Sequence, residues 1–131
     1  MAKGIKDVIY SLLSNNASVN NIVVNKIFPY LAQDNVDVPY LVYDLTGLEP
    51  TDCKDGVSGL DTLLFDIEMY HDDPDLLETL STNVRTVLDR HSGTTETVVV
   101  QSIQYTGEDG GYSAEDKVFI KVQTYKARIE K

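Results

Sequence analysis

The apolar residues near the start of the chain recur with the period of an α-helix. Five of them stand three or four positions apart and form one stripe: Ile5, Val8, Ile9, Leu12 and Leu13. A second helix is predicted from Asp73 to His91, because Asp73 suits the N-cap and Pro74 suits the first helical position. Six apolar residues form its buried stripe: Leu76, Leu77, Leu80, Val84, Val87 and Leu88. Gly93 is the expected stop of this helix.

The other apolar segments alternate or are rich in β-branched residues, which predicts strands. Residues 40–48 alternate, and residues 60–70 do so most clearly, with a core-facing set of Leu63, Phe65, Ile67 and Met69. Residues 95–105 are β-branched. Residues 117–128 place two sets of residues on opposite faces: Val118, Ile120 and Val122 on one, Lys121 and Gln123 on the other. A short strand from Lys26 to Tyr30 contains Pro29, which favours a sheet edge.

Polar and glycine-containing segments lie between these elements. Residues 33–38 and Glu49–Gly59 are predicted loops, Gly107–Gly111 is a predicted hairpin tip, and residues 18–24 could hold a short helical turn. The resulting order is α-β-β-β-α-β-β. It predicts one α+β domain over residues 1–131, with an antiparallel or mixed β-sheet of about five strands and two α-helices packed on one face.

The charge of the chain is strongly acidic and unevenly placed. The net charge is −10, and residues 49–116 carry 16 acidic but only 3 basic side chains, whereas residues 117–131 carry 5 basic and 1 acidic. An acidic surface repels phosphate, so non-specific nucleic-acid binding is disfavoured. Two interpretations stay open: a solvated acidic face beside a basic last strand, or complementary charge between neighbouring subunits.

No known catalytic or cofactor-binding motif is present in the sequence, so neither an enzyme nor a cofactor is expected. His71 and His91 flank the second helix and are too far apart to share a site. The carboxylates of Asp72, Asp73 and Asp75 fit helix capping, with a calcium or magnesium site as the alternative. No apolar run approaches the roughly 20 residues that span a bilayer, and the charged residues near Met1 argue against a secretory segment.

The order of these features resembles the tail-terminator, or tail-completion, proteins of long-tailed bacteriophages. The resemblance rests on the opening helix, the strand that contains Pro29, the segment Val38–Tyr43 (VPYLVY), the strand 60–70 and the helix that starts at Asp73. These features cover nearly the whole chain. The segment Glu49–Gly59 has no counterpart among the features that identify the family.

The resemblance implies a structural protein that caps the tail tube as a ring, usually a hexamer, and supplies the docking surface for the head connector. Its implied partners are further copies of itself, the major tail tube protein and the head-completion or connector protein. DNA would pass through the ring lumen without specific binding, and no membrane is involved. The implied location is the head-proximal end of the virion tail, after assembly in the host cytoplasm.

Charge complementarity selects seven candidate interface residues: Asp52, Lys54, Asp55, Glu108, Asp109, Lys117 and Lys121. Two other functions remain open at this stage. One is a monomeric acidic adaptor or a nucleic-acid mimic that inhibits a basic protein, suggested by the acidic stretch of residues 49–116. The other is a metal-assisted enzyme that uses Asp72, Asp73 and Asp75.

Overall fold

The computed structural model describes residues 4–23, 26–29, 38–53, 56–95, 98–115 and 117–130. Within these ranges, nine elements follow one another: α1 (Ile5–Ser14), α2 (Ala17–Val23), β1 (Ile27–Pro29), β2 (Tyr40–Cys53), β3 (Gly56–His71), α3 (Pro74–Leu88), β4 (Gly93–Thr95), β5 (Val98–Ser113) and β6 (Val118–Glu130). Within the described ranges, none of the helices is long and apolar enough to cross a membrane.

The strands form one six-stranded sheet in the order β1-β2-β3-β6-β5-β4. β1 runs parallel to β2, and all other neighbours are antiparallel. The prediction of an α+β fold with a mixed sheet is therefore confirmed, and the strand that contains Pro29 lies at the edge of the described sheet. The fold adds α2, where the sequence was ambiguous, and the short strand β4.

All three helices contribute to a single core against one face of the sheet. Phe65 of β3 and Tyr125 of β6 lie at its centre, where they are fully buried and stack with ring centroids 5.3 Å apart. The predicted core set of β3 is buried throughout. The predicted stripe of α3 holds except at Leu76, whose side chain is 45% exposed.

The start of α3 is built as the sequence predicts. Asp73 is the N-cap, and its Oδ1 accepts hydrogen bonds from the backbone N–H groups of Asp75 at 2.9 Å and Leu76 at 3.3 Å. These bonds satisfy N–H groups that have no partner within the helix. The preceding His71 is buried, and its Nδ1 accepts a bond from the Asp73 N–H at 3.0 Å. The histidine therefore has a structural role in holding the cap.

The end of α3 differs from the prediction. The helix stops at Leu88, and Arg90 rather than Gly93 adopts the left-handed conformation that ends it, with φ of 66°. The N–H of His91 then returns to the Leu88 carbonyl at 3.2 Å. Gly93 instead begins β4. The sequence does not predict that Arg90 ends the helix, because glycine or asparagine normally occupies a left-handed position after a helix.

The predicted loop Glu49–Gly59 is wrong. β2 and β3 continue through this segment as a hairpin, with backbone pairs from Glu49↔Thr62 to Cys53↔Gly56. A register shift between Pro50 and Asp52 interrupts the ladder next to the proline. A β-bulge of this kind accommodates a proline within a strand. Lys54 and Asp55, two of the predicted interface residues, lie outside the described residues.

The predicted tip Gly107–Gly111 is also wrong. These residues continue β5, and each pairs with a residue of β6, from Gly107↔Thr124 to Gly111↔Ile120. The actual turn follows Ser113 and includes Lys117, whose φ is 56°. The turn carries no glycine, so local sequence gives no sign of it. Pairing with β6 outweighs the weak strand preference of the glycines.

Candidate assembly surface

The face of the sheet that points away from the helices is rich in apolar side chains. We call it the open face and define it by six residues: Phe28, Tyr40, Val42, Tyr70, Ile120 and Val122. Each alternates along its strand with residues of the core, and none belongs to the core cluster. The open face arises because β1, β2, β3 and β6 carry apolar residues on both sides of the sheet.

Three aromatic rings run across the open face. Phe28 meets the edge of Tyr40 with centroids 6.4 Å apart, and Tyr40 stacks on Tyr70 at 4.7 Å. Strand pairing places Ile120 next to Tyr70. Val42 is buried, whereas the other five residues are half-buried. The three rings and Ile120 form an apolar row, whereas Glu68 of β3 separates Val42 from Val122.

Polar groups on the open face restrict what can pack there, and Glu68 lies between Val42 and Val122. The Tyr70 hydroxyl donates to Glu68 Oε1 at 3.0 Å, and burial together with this carboxylate raises the pKa of Tyr70. Asp44 and Asp66 face each other across β2 and β3. Burial raises the pKa of Asp66, as does the Asp44 charge, while a hydrogen bond with Thr124 opposes the shift.

Two predicted interface residues, Lys121 and Glu108, lie close to each other within the subunit. Lys121 Nζ is hydrogen-bonded to Glu78 of α3, and it lies 3.8 Å from Glu108 Oε2. Only 12% of the Lys121 side chain is exposed. The opposite charges that the sequence suggested for neighbouring subunits are therefore paired here inside one chain, on the helix-covered face.

A buried polar network continues from this cluster into the core. Gln123 is 1% exposed, and its Nε2 donates to the Ser81 carbonyl at 2.9 Å and to Glu108 Oε1 at 3.1 Å. Its Oε1 accepts the hydroxyl hydrogen of Tyr125 at 2.6 Å. Burial is the main reason that the pKa of Tyr125 is raised. The network ties α3 to β5 and β6 and explains why a glutamine occupies the core.

The other predicted interface residues are spread over the molecule. Asp109 is exposed on β5, opposite Val122, and Lys117 is exposed in the turn before β6. Asp52 lies in β2 near the tip of the first hairpin, paired with Val57. Asp52 and Lys117 belong to hairpin ends at opposite ends of the sheet. The five of these residues that the structure describes therefore do not form one site, and the role of all seven in assembly stays a prediction.

A polar groove lies where the end of α3 meets β5. It has a volume of about 510 Å³, and its lining includes Arg85, Asp89, Arg90 and Tyr105. The Arg85 guanidinium lies 4.0 Å from the centre of the Tyr105 ring and its Nε is 3.9 Å from Asp89 Oδ2. Asp89 Oδ1 in turn accepts the Tyr105 N–H at 3.1 Å. We call this feature the arginine groove.

Arg90 is the unusual member of the arginine groove. Its left-handed backbone costs a residue other than glycine about 1 kcal/mol or more. Its side chain is exposed, and none of the ion pairs among the described residues includes it.

Sequence reasoning missed both the open face and the arginine groove. The open face could have been found, since Tyr40, Tyr70 and Ile120 stand at alternating positions opposite to the core set. The arginine groove could not, because the turn that brings Arg90 beside β5 depends on long-range contacts. Across the described ranges, no group of three or more His, Cys, Asp or Glu side chains is arranged to hold a metal ion.

Comparisons with known proteins fit this picture. The sequence matches the family model described as "Tail completion protein gp17" over residues 7–130. No curated protein matches it. A chain in the solved structure titled "Virion of native gene transfer agent (GTA) particle" has a similar fold, with a TM-score of 0.75 over 94% of this chain and 92% of that one. The two chains share 13% sequence identity, so this likeness establishes the fold alone.

Proposed function

We propose, since the chain belongs to the tail completion protein gp17 family, that it caps the tail tube of a phage or phage-like particle as a ring and presents the surface to which the head connector docks. It is a structural protein of the tail. The solved chain with a similar fold is part of a gene transfer agent virion. In this proposal the chain acts at the head-proximal end of the tail, with the tube protein and the connector protein as its partners.

The observation that carries the proposal is the open face. Here Phe28, Tyr40 and Tyr70 form a continuous aromatic row on it, and Ile120 extends the row onto β6. Tyrosine and phenylalanine are favoured at protein interfaces because they bury large areas with little loss of side-chain freedom.

A ring also agrees with the asymmetry of the subunit. Head-to-tail contacts in a ring join two different surfaces of each subunit. The chain offers distinct surfaces in the open face and the arginine groove. The hexamer is the number that the family resemblance implies. The net charge of −10 supports a lumen through which DNA passes without adhering, because carboxylates repel phosphate.

Removal of the gene from the phage or prophage that encodes it tests the proposal. Electron microscopy of the lysate should show heads without tails, together with tails of abnormal length or with open ends. Supplying the wild-type protein from a plasmid should restore joined particles. Normal-length tails joined to heads in the absence of the protein would contradict the proposal.

An open-face variant separates this function from mere folding. Ile120→Asp places a charge in the apolar patch without disturbing the core cluster, to which Ile120 does not belong. The variant should fold, as judged by circular dichroism, and should fail to restore joined particles. Glu115→Lys, at an exposed position in the turn after β5, is the matched control and should restore them.

A further inference from the structure

The outer edge of β5, on the side away from β6, is bonded along only part of its length. β4 pairs with Val98–Val100, and oxygen atoms of the segment after α3 accept the N–H groups of Ile103 and Tyr105. Beyond Tyr105 the strand continues to Ser113, and none of the described strands pairs with its outer side there. We call Thr106–Tyr112 the free edge.

The pairing with β6 determines which backbone groups of the free edge point outward. In an antiparallel pair, every second residue turns its N–H and C=O away from the neighbouring strand. Ile103 and Tyr105 do so, and they stand opposite Ala127 and Tyr125 of β6. The same alternate positions of β6 continue toward the turn, where they stand opposite three residues of the free edge: Glu108, Gly110 and Tyr112. The outward N–H and C=O groups of these three residues form a template for an added strand.

The opposite side of the sheet has a long strand edge as well, but that edge is protected. β1 pairs with Leu41–Tyr43 of β2, and beyond them β2 contains Pro50 and two register shifts. Proline lacks an N–H and bulges interrupt the ladder, so both keep an edge from pairing with another chain. The free edge contains neither proline nor lysine, and the register shift between Tyr105 and Gly107 lies at its start. The two edges therefore differ in their capacity to accept a strand.

The fold of the subunit does not require the three glycines of the free edge. A Cβ added at Gly107 or Gly111 would meet nothing within 4 Å, and one at Gly110 would meet only the Ile120 carbonyl oxygen, at 3.7 Å. None of the three has a positive φ. Glycine within a strand lowers its stability, and it often marks a place where another backbone approaches closely. The glycines therefore support a contact of the free edge with another chain.

The charges of the free edge favour a basic partner. The edge includes Glu108 and Asp109 but no Lys or Arg, and both carboxylates belong to exposed residues. None of the ion pairs among the described residues includes Asp109. If two copies paired through their free edges, like charges would approach each other, which is unfavourable. The carboxylates therefore disfavour a second free edge and suit a strand that carries Lys or Arg.

We infer that the free edge of β5 accepts an extended basic segment of a partner protein of the particle, which adds to the sheet as a further strand. The inference rests on the proposed function and names the chemistry of one of its contacts. Backbone hydrogen bonds supply the binding, while a Lys or Arg beside Asp109 and an apolar side chain beside Tyr112 supply the specificity. Tyr112 suits this role, because it is 54% exposed and its ring centroid lies 4.7 Å from that of Phe119.

Proline substitution tests the backbone contact by complementation of a phage that lacks the gene. Gly110→Pro removes an N–H that points outward, so the melting temperature should stay close to that of the wild type. The yield of joined particles should fall by about tenfold or more, because a strand cannot pair across the proline. Gly111→Pro removes an N–H that points toward β6 and should lower the melting temperature, which checks the assigned orientation. A Gly110→Pro variant that folds and gives the full yield would overturn the inference.

Charge reversal tests the chemistry of the partner and decides the matter if Gly110→Pro fails to fold. Asp109→Lys changes an exposed side chain, so the subunit should fold, but the yield should fall by about tenfold or more because like charges then meet. Glu115→Lys is an equal charge change in the turn beyond the free edge and should leave the yield unchanged. Full yield from the folded Asp109→Lys variant would contradict a basic partner.

Hydrogen exchange separates the possible occupants of the free edge. Residues 106–112 should exchange their amide hydrogens more slowly in joined particles than in the purified chain, because an added strand protects the outward N–H groups. Equal exchange in the two states would overturn the inference. Protection that increases with the concentration of the purified chain alone would show that a second copy occupies the edge, and the inference of a basic partner would again be wrong.

The outcomes also separate the inference from the proposed function. If the wild-type protein restores joined particles and the Gly110→Pro and Asp109→Lys variants restore them equally well, the strand contact is wrong and the proposed function stands. If particles join without any copy of the protein, the proposed function itself fails.

Discussion

The two faces of the sheet carry similar residues, but the side chains on the two faces are buried to different extents. On the helix-covered face, Phe65 and Tyr125 are fully buried and stack on each other. On the open face, Tyr40 and Tyr70 also stack, but both remain half-buried. The same alternation along the same strands produces both faces. The difference teaches that apolar burial within this chain stabilises the subunit on one side, while the proposed function assigns the other side to contacts between proteins.

The largest expected effect comes from truncating the covered face. Phe65→Ala should reduce the free energy of unfolding by about 3–5 kcal/mol, because it removes a fully buried ring and leaves a cavity. Ile120→Ala on the open face should cost about 1 kcal/mol or less, since its side chain is only partly buried in the free subunit. Urea denaturation followed by circular dichroism measures both. Equal losses for the two variants would remove the distinction between the faces.

A smaller effect is expected in the buried polar network of the covered face. Gln123→Leu fills a similar volume but removes the hydrogen bond to the Ser81 carbonyl and leaves the buried Tyr125 hydroxyl without its acceptor. It should destabilise the subunit by about 1–3 kcal/mol, the cost of unpaired buried polar groups. Tyr125→Phe removes one hydroxyl only and should cost less. If Gln123→Leu stabilises the protein in thermal melting, the network does not contribute as described.

The smallest effect concerns Asp66, beside the open face. Folding raises the pKa of this carboxyl, mainly through burial. The native state therefore holds the proton more tightly than the unfolded chain, and stability falls as pH rises from the ordinary value of 3.8 through the native pKa. Asp66→Asn should be more stable than the wild type at pH 7, and the difference should shrink at pH 3.

The control for Asp66→Asn is Asp109→Asn, which changes an exposed carboxyl of β5. It should melt at the same temperature as the wild type at both pH values. A stabilisation of Asp66→Asn that does not depend on pH would show that side-chain shape, rather than charge, governs this position. Such a result would also weaken the view that carboxyls at the margin of the open face are partly desolvated.

Local sequence was sufficient for the covered face and insufficient elsewhere. The alternation of Phe65 and Ile67, and the capping pattern at Asp73, are local signals that tertiary structure reinforced. Pro50 and the glycines of residues 107–111 are equally strong local signals for loops, yet strand pairing overrode them. A bulge removed the conflict at Pro50, and the long partner strand β6 held the glycines in register.

The assembly surface was harder to predict for a physical reason. A half-buried tyrosine in a strand has the same sequence pattern whether it meets a neighbouring subunit or the solvent. Two of the charged residues chosen from sequence, Lys121 and Glu108, lie close to each other within one chain, and their role in assembly stays a prediction. Arg90 lies in a left-handed turn that the sequence did not predict. A surface that functions only in an assembly is recognised from the three-dimensional arrangement of its residues rather than from the local sequence pattern.

The most direct test of the central claim is to locate the protein on the particle. A gold-labelled antibody against an epitope tag on the chain should mark one end of isolated tails, the end that joins the head, in electron micrographs. The same label should be missing from tails made with Ile120→Asp in place of the wild-type protein. Label along the whole tube, or none on tails that are normally joined to heads, would contradict the claim that this chain completes the tail.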